Sequence, residues 1–598
     1  DVVIFSCYIW NISFVRELAA ELKKVSPEVK IWAGGPEVSY AANKFLMENP
    51  AFDLIMQGEG EEVFSELIRL TVEEKCRIKD VYKQSESKKV LSGIVEKRYS
   101  IERKQAVKEE KDIEDKHFAG EDNVYPTNYI DMSKLQKLQG IAVRDFSGKA
   151  ALGNAESNIE NKTKIINTGF ATLMDMDTIP FVYEDFHLFE HKILYYETSR
   201  GCPFCCSYCL SSVDKTVRFR SLPIVKKELD AFLEAKVPQV KFVDRTFNCN
   251  RQRAIDIWSY LVEHDNGITN FHFEISSDLL GEEELELFAK MRPGLIQLEI
   301  GVQSTNGETV DAIHRHMDLD KLFHYVDRVH ELGNIHQHLD LIAGLPYENY
   351  ERFGCSFDDL YAHEPDQLQL GFLKVLKGTM MEEEVKKYSI LYRNQPPYEV
   401  LGTKWLSYDE IILLKGVEEL VELYYNSGQY TLTLKYAVPF FESPFRFYEM
   451  FSAWYRGKGY HKLNHNRLEK YNILREFLRE HIDENEWDTL DEIMLYDMYL
   501  RENVKGRPAW AKDTAQYKKE WKALYREQGE KLFPEDVQAG IYDSKRAANQ
   551  SHIEVFKINI KKFEQSGQVE KKQVFCLFDY SRRNPLNRAA RTVEWEIL

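Results

Sequence analysis

The chain has 598 residues, with 97 acidic and 79 basic side chains, 43% hydrophobic residues and only 9 cysteines. This length predicts roughly three to five domains and excludes a single small module. The apolar and aromatic content is too high for a disordered chain, and the cysteines are too few for a disulfide scaffold. The net charge of −18 disfavours nonspecific binding to nucleic acid or to an anionic membrane, so we expect neither partner.

Export signals and membrane-spanning segments leave recognisable patterns in a sequence. There is no signal peptide and no run of about 18 apolar residues, which predicts a cytoplasmic protein. The chain starts at Asp1 without a methionine and enters a buried-strand pattern at once. We therefore expect that its beginning is missing.

Residues 1–71 alternate apolar runs with amphipathic stretches, a pattern that predicts a parallel sheet covered by helices. Three such strand–helix units make about half of a doubly wound domain. In these sheets ligands lie beyond the carboxyl ends of the strands, where Ser6, Gly34 and Gly35 fall. A tight turn between strand and helix explains the two glycines equally well.

Residues 72–185 lack this alternation. The stretch 97–117 is dominated by Lys, Glu, Arg and Asp without apolar periodicity. We interpret 72–185 as a linker that carries a charged insertion.

From residue 186 to about 400 the alternation of strands and helices returns. Six βα units in series predict a partial (βα)6 barrel whose active face lies at the carboxyl ends of the strands. Beyond residue 401 the pattern becomes helical and aromatic, which predicts a mostly helical C-terminal domain over 401–598. The predicted strands of the barrel are 193–198, 239–243, 270–275, 295–302, 336–342 and 367–373.

Four cysteines, Cys202, Cys205, Cys206 and Cys209, fall within eight residues directly after the first barrel strand. In a reducing compartment such clustering indicates metal binding rather than disulfides. A zinc site normally uses two separated pairs of ligands, and no second C-x2-C pair follows. Three closely spaced thiolates are typical of an iron–sulfur cluster, and three ligands to four irons leave one iron open for chemistry.

The spacing Cys202-x3-Cys206-x-Tyr208-Cys209 resembles the signature loop of the radical S-adenosylmethionine (SAM) superfamily. The resemblance implies that these three cysteines hold a 4Fe–4S cluster and that SAM chelates its open iron. An electron from the cluster then cleaves SAM to methionine and a 5′-deoxyadenosyl radical, which abstracts a hydrogen atom. The resemblance also implies that Tyr208 lies against the adenine and that Cys205 is a bystander.

Later strand ends extend the resemblance and imply contacts to SAM. Where the second to fifth strands end, the implied cofactor contacts are Asp244, Glu274, Ser276, Glu299, Gln303 and Gly344. A satisfied core carboxylate is the alternative explanation for Glu299 or Asp340 taken alone.

The N-terminal region resembles the cobalamin-binding domain that precedes the barrel in one large radical SAM subgroup. Phe5-Ser6-Cys7, Gly34-Gly35-Pro36-Glu37 and Gly58-Glu59-Gly60-Glu61 match its third, fourth and fifth strand ends. The first histidine of the chain is His117, so the histidine loop that normally follows the first strand is absent. Either that loop precedes Asp1, or this branch binds cobalamin without a histidine. Cobalamin is expected of the full-length protein rather than of this segment.

The C-terminal region resembles a domain of unknown function appended to this subgroup. Arg582 and Arg583 in its late run are predicted to be a solvated basic turn, with an anion site as the alternative.

The leading hypothesis is a cobalamin-dependent radical SAM enzyme that methylates an unactivated carbon of a small-molecule substrate. Its electron donor would be a protein such as flavodoxin or ferredoxin. Two alternatives stay open. One is a radical oxidase with a vestigial cobalamin domain, because oxygen-independent porphyrinogen oxidases have similar Glu-x-Gly-x-Gln-Ser segments. The other is a noncatalytic iron–sulfur or zinc protein.

Overall fold

The computed structural model describes residues 2–86, 130, 132–145, 164–504 and 506–596. Two compact units are formed: Asp1–Ile179 with Asn394–Pro397, and Pro180–Arg393 with Tyr398–Leu598. The charged stretch 97–117 and His117 lie outside the described residues. No helix within the described ranges is both long enough and apolar enough to cross a membrane.

The first unit contains a five-stranded sheet in the order β1-β2-β3-β4-β5. The first three strands are parallel and match the predicted pattern, whereas β4 and β5 pair antiparallel. The last two strands correct the prediction that 72–185 is only a linker. These two strands have only four and three residues, which is too short for a periodic sequence signal. Each is a strand because it pairs with the neighbouring strand of the sheet. The elements are β1 Val2–Ser6, α1 Ile12–Val25, β2 Lys30–Gly34, α2 Pro36–Ser39, α3 Ala42–Glu48, β3 Leu54–Met56, α4 Gly60–Glu86, α5 Met132–Leu135, β4 Ile141–Arg144 and β5 Ile165–Asn167.

The second unit begins with the predicted partial barrel, which is confirmed. Its six main strands are parallel, in the order β13-β12-β11-β10-β9-β6. The elements are β6 Leu194–Tyr196, β7 Ser199–Arg200, β8 Arg218–Phe219, α6 Leu222–Glu234, β9 Gln239–Phe242, α7 Arg251–Glu263, β10 Asn270–Ile275, α8 Glu282–Phe288, β11 Ile296–Gln303, α9 Gly307–Ala312, α10 Leu319–Leu332, β12 His336–Ala343, α11 Tyr350–Tyr361, β13 Gln367–Phe372, α12 Met380–Glu384, β14 Leu391–Tyr392 and β15 Val400–Gly402.

Residues along the barrel strands β11 and β12 alternate strictly between two environments. In β11 and β12 every second residue is buried, and the residues between them are half-buried. The buried set faces the helices, where Phe242, Phe273 and Trp258 pack together. The half-buried set faces the barrel interior, because side chains of a strand point alternately to its two faces.

The C-terminal region is mostly helical, as predicted, and also contains a three-stranded antiparallel sheet. Its first helix starts at a capping box in which Ser407 and Glu410 satisfy each other's backbone amides. The elements are α13 Tyr408–Leu420 followed by a π-helical turn Val421–Asn426, α14 Thr431–Ala437, α15 Pro444–Gly457, α16 Arg467–His481, α17 Trp487–Arg501, α18 Lys518–Glu527, α19 Gly529–Leu532, α20 Pro534–Gln538, α21 Ser544–Asn549, β16 Ser551–Ile558, α22 Ile560–Ser566, β17 Lys571–Arg583 and β18 Ala590–Glu596.

Candidate cofactor site at the barrel mouth

The cysteine loop leaves the barrel directly after β6 and is anchored by Asp244. This buried carboxylate accepts hydrogen bonds from the Thr198 amide (2.9 Å), the Thr198 hydroxyl (2.7 Å) and the Ser199 hydroxyl (2.5 Å). Burial raises the pKa of Asp244, and the three hydrogen bonds oppose that rise. The structure thus places Asp244 behind the loop, where it fixes the start of the cysteine segment.

The four loop cysteines differ in burial and in contacts. Cys202 and Cys206 are buried and Cys209 is half-buried. Burial raises the pKa of the Cys206 thiol, the charge of Arg315 opposes that rise, and the charges of Cys209 and Cys202 add to it. The Cys205 sulfur lies 3.8 Å from the carbonyl oxygen of His314.

Three cysteine thiols on one loop are donors typical of an iron–sulfur cluster. Among the described residues no group of three or more His, Cys, Asp or Glu side chains is arranged to hold one metal ion. In a 4Fe–4S cluster each cysteine binds a different iron, so its thiolates stand farther apart than the ligands of one ion. Three neighbouring thiols are the donors that a cluster with one open iron requires.

Arg315 completes this side of the barrel mouth, and the sequence analysis missed it. Its Nη1 atom lies 3.8 Å from the Cys206 sulfur and 3.5 Å from the Tyr208 hydroxyl, and its Nη2 donates to the carbonyl of Gly301. The residue follows α9 and belongs to no recognisable spacing. Only its positive charge in the segment after the Gln303 strand end could have drawn attention to it.

The strand ends around this loop carry unusual backbone conformations. Gln303 has φ +71° at a register shift of β11, and its buried Oε1 has no hydrogen-bond partner among the described residues. Gly344 has φ +90°, and a Cβ there would lie 2.8 Å from a methyl carbon of Val400. At the end of β10, the Ser276 hydroxyl donates to the carboxylate of Asp278, two residues farther along the chain, at 2.6 Å. This bond occupies the hydroxyl hydrogen.

Three carboxyl groups on the inner strands differ sharply in their surroundings. Glu299 accepts from Lys241 (2.9 Å) and lies 2.9 Å from the His272 ring nitrogen; the His272 contact, with Lys241, lowers its pKa to about 2. Burial, reinforced by the charge of Glu299, raises the pKa of Glu274 to about 7 and of Asp340 to about 8. The satisfied-carboxylate explanation therefore applies to Glu299. Asp340 Oδ1 has no partner within the described ranges.

In the first unit, Ser6 and Gly34 stand side by side at the carboxyl edge of the sheet. Gly35 has φ +103°, and a Cβ there would lie 2.6 Å from the carbonyl oxygen of Cys7. The glycine is thus required by the turn itself. Ser6 is exposed, and residues 2–86 contain no histidine.

Neither interpretation of the late arginine pair describes its contacts. Arg582 forms ion pairs with Glu535 and, at 2.6 Å, with Asp536. Arg583 donates to the carbonyls of Arg501 (3.0 Å) and Arg588 (2.7 Å). Both guanidinium groups tie β17 to neighbouring segments.

Family models match three parts of the chain: a B12 binding domain at residues 1–68, the radical SAM superfamily at 196–360, and a protein of unknown function (DUF4080) at 386–578. A radical SAM domain implies a 4Fe–4S cluster and SAM, and a B12-binding domain implies cobalamin. The cysteine loop and Arg315 both fall inside the radical SAM match.

Similar curated proteins include the cobalamin-dependent radical SAM methyltransferase TokK of Streptomyces tokunonensis, 22% identical over 65% of this chain and 49% of the relative. Another is a 2-(S-pantetheinyl)-carbapenam-3-carboxylate methyltransferase of Streptantibioticus cattleyicolor, 21% identical over 59% of this chain and 44% of the relative. The chain thus spans about half the length of these curated relatives.

Among solved structures, TsrM from Kitasatospora setae has a TM-score of 0.44 at 13% identity, covering 64% of this chain and 65% of that one. OxsB has a TM-score of 0.46 at 14% identity, covering 83% of this chain and 70% of that one. The chain carries a B12-binding domain, a radical SAM domain and a DUF4080 domain, in that order.

Proposed function

We propose that this chain is the catalytic part of a cobalamin-dependent radical SAM enzyme that methylates an unactivated carbon of a small-molecule substrate. One observation carries the proposal. The loop with Cys202, Cys206 and Cys209 follows the first strand of a parallel barrel at its carboxyl end, and the Arg315 guanidinium lies 3.8 Å from the Cys206 sulfur. The names of the two curated methyltransferase relatives support the methyl transfer.

In this proposal the three thiols bind the cluster, and Arg315 balances the negative charge that the thiolates and the SAM carboxylate bring to the barrel mouth. When bound and reduced, the cluster with SAM supplies a 5′-deoxyadenosyl radical, and cobalamin supplies a methyl carrier. Asp244 keeps the loop in register with β6. A protein such as flavodoxin or ferredoxin would deliver the electron.

Glu274 and Asp340 can serve as hydrogen-bonding partners of SAM at neutral pH. Their pKa values of about 7 and about 8 leave each carboxyl protonated for part of the time. A protonated carboxyl both donates and accepts, which matches the two roles of a ribose hydroxyl. Gln303, whose Oε1 lacks a partner among the described residues, offers a further acceptor at the same edge.

The first experiment compares two cysteines of one loop. After anaerobic reconstitution with iron and sulfide and reduction with dithionite, the wild type should convert SAM to 5′-deoxyadenosine. We expect Cys206→Ala to lower the yield at least about 100-fold, because the cluster loses a ligand. Cys205→Ala is the matched control and should stay within about twofold of wild type, since its sulfur faces the His314 carbonyl. Equal yields from wild type and Cys206→Ala would refute the proposal.

The second experiment separates methyl transfer from other radical chemistry. SAM labelled in its methyl group is turned over with extract of the source organism, and products are analysed by mass spectrometry. Label in a new C–methyl product supports the proposal. 5′-Deoxyadenosine without label transfer, together with no cobalamin binding by the full-length protein, would indicate a radical oxidase instead. Zinc without labile sulfide would indicate a noncatalytic protein.

A further inference from the structure

Below the cofactor-binding edge, the inner face of the barrel sheet is polar from one strand to the next. The register places Lys241 beside His272, His272 beside Gln297, and Glu299 beside His338. We use the name lumen floor for the six inward residues Gln239, Lys241, His272, Gln297, Glu299 and His338. Barrel interiors of this architecture are ordinarily filled by branched apolar side chains, so a polar floor has to be explained.

The lumen floor forms one continuous network. The Gln239 amide nitrogen lies 3.2 Å from Gln297 Oε1, and the Gln297 amide nitrogen lies 3.1 Å from His272 Nδ1. His272 and Lys241 each lie 2.9 Å from the same oxygen of Glu299. The positive charge of Lys241 is thereby matched within the floor.

Solvent reaches this network. The Lys241 and Glu299 side chains are 27% and 19% exposed although both face the inside of the barrel. β6 and β13 are the terminal strands of the sheet, and each carries an exposed inward residue. Tyr195, in register with Lys241, is 57% exposed, and Gln369, in register with Asp340, is also exposed. The two terminal strands β6 and β13 therefore border the lumen.

The floor offers hydrogen bonds without net charge. Burial lowers the pKa of His338 to about 3, and burial also lowers that of the neighbouring His336, whose ring lies 4.7 Å away. Both rings are therefore neutral at pH 7, with one nitrogen that donates and one that accepts. His336 Nδ1 is buried and has no partner within the described part of the chain. On β12 the single aliphatic side chain that faces inward is Ile342.

We infer that the lumen floor binds a polyhydroxylated part of the substrate, such as a sugar or cyclitol ring. This inference rests on the proposed function, since it places the substrate beneath SAM. Hydroxyl groups donate and accept, as do carboxamides and neutral imidazoles, and the Tyr195 ring supplies a flat surface for the C–H face of such a ring.

Other ligand classes match the floor poorly. A fused aromatic or aliphatic ligand would keep His336 Nδ1 and Asp340 Oδ1, which have no partner among the described residues, unpaired, and each unpaired buried group costs free energy. A phosphate or carboxylate would find Lys241 already engaged by Glu299, with the carboxyl groups of Glu274 and Asp340 nearby. A site built to bond hydroxyls rejects analogues that lack them.

The test measures binding and turnover on the anaerobically reconstituted protein with SAM. Saturation-transfer NMR is recorded with methyl α-glucoside, myo-inositol, p-cresol and benzoate as probes. We expect saturation transfer to the two polyols and at least threefold stimulation of 5′-deoxyadenosine formation by one of them. Gln369→Leu, on the terminal strand β13, should weaken polyol binding at least fivefold. It should leave the amount of 5′-deoxyadenosine formed without substrate unchanged. Gln252→Leu, on the outer helix α7, is the matched control and should change neither readout.

Two results would overturn the inference. One is stronger saturation transfer to p-cresol or benzoate than to either polyol. The other is equal polyol binding by wild type and Gln369→Leu. Both leave the proposed function standing if the wild type still cleaves SAM. Conversely, polyol binding by a protein that forms no 5′-deoxyadenosine would support the lumen-floor site and refute the proposed function.

Discussion

The two main sheets of this chain differ at the edge where the carboxyl ends of their parallel strands lie. In the first unit the edge is closed by backbone: Gly35 packs against the carbonyl of Cys7. In the barrel the edge is built from long side chains, and Gln303, Arg315 and Asp340 each keep a buried polar atom without a partner among the described residues. An edge of backbone depends on glycine, whereas an edge of side chains depends on residues that converge from separate strands and loops.

The largest effect is expected at the barrel edge, from Arg315→Gln. Loss of a half-buried guanidinium that contacts Cys206 and Tyr208 should lower the rate of 5′-deoxyadenosine formation roughly 30- to 100-fold, or about 2–3 kcal/mol. Iron content should be unchanged, because Arg315 is not a ligand. Arg328→Gln, which removes an exposed pair with Glu282 at 3.3 Å, should leave the rate unaltered. If both variants matched wild type, the barrel edge would not depend on this side chain.

The next effect is expected at the edge of the first unit, from Gly35→Ala. A Cβ there would meet Cys7 O at 2.6 Å, and φ +103° is disfavoured for alanine. We expect the free energy of unfolding of this unit to fall by about 2–3 kcal/mol, measured by urea denaturation with fluorescence of Trp10 and Trp32. Gly60 is the first residue of α4, and a Cβ there would have no atom within 4 Å. The control Gly60→Ala should therefore lower the free energy of unfolding by less than about 0.5 kcal/mol. Equal losses would mean that the turn is not constrained by backbone.

A smaller effect is expected from Asp340→Asn, and it depends on pH. The folded pKa of about 8 lies above the unfolded value of about 4, so the folded protein binds this proton more tightly. The free energy of unfolding should therefore fall as pH rises from about 4 to about 8, and below that window the penalty is absent. The variant should be more stable than wild type by about 2 kcal/mol at pH 8, because water in the lumen moderates the burial cost.

The measurement for Asp340→Asn is anaerobic urea denaturation at pH 5 and pH 8 without SAM. The gain should be smaller at pH 5 than at pH 8. The exposed carboxylate variant Glu286→Gln serves as control and should show no such difference. A gain independent of pH would show that Asp340 is not held with a raised pKa.

Much of the fold was predictable because it follows from local patterns of apolar and polar residues in the sequence. The six barrel strands lie within about two residues of their predicted bounds, since each alternates apolar outward residues with polar inward ones. The short strands β4 and β5 were missed because three or four residues carry no period. β4 forms by pairing with β3, as in the register of Met56 with Ile141, and β5 forms by pairing with β4.

The cysteine loop was predictable from spacing, and the family resemblance implied that Cys205 is a bystander. Arg315 was not predictable, because it reaches Cys206 from a loop 109 residues farther along the chain. Glu299 and Asp340 looked alike in the sequence, each a carboxylate on a buried strand. Their surroundings separate them. Lys241 and His272 neutralise Glu299, whereas at Asp340 burial and the charges of neighbouring carboxyl groups outweigh the positive charges of Lys241 and Arg315.

The sequence by itself determined the order of the three regions, the barrel strands and the thiols that can hold a cluster, because strand period and ligand spacing are local properties of the chain. Only the tertiary structure decided which polar side chains share the barrel mouth and the lumen floor. Register between neighbouring strands sets those neighbours, and it brings together residues such as Lys241 and Glu299 that lie 58 positions apart. Charge, burial and pKa follow from such neighbours, so the chemistry of the site belongs to the folded protein.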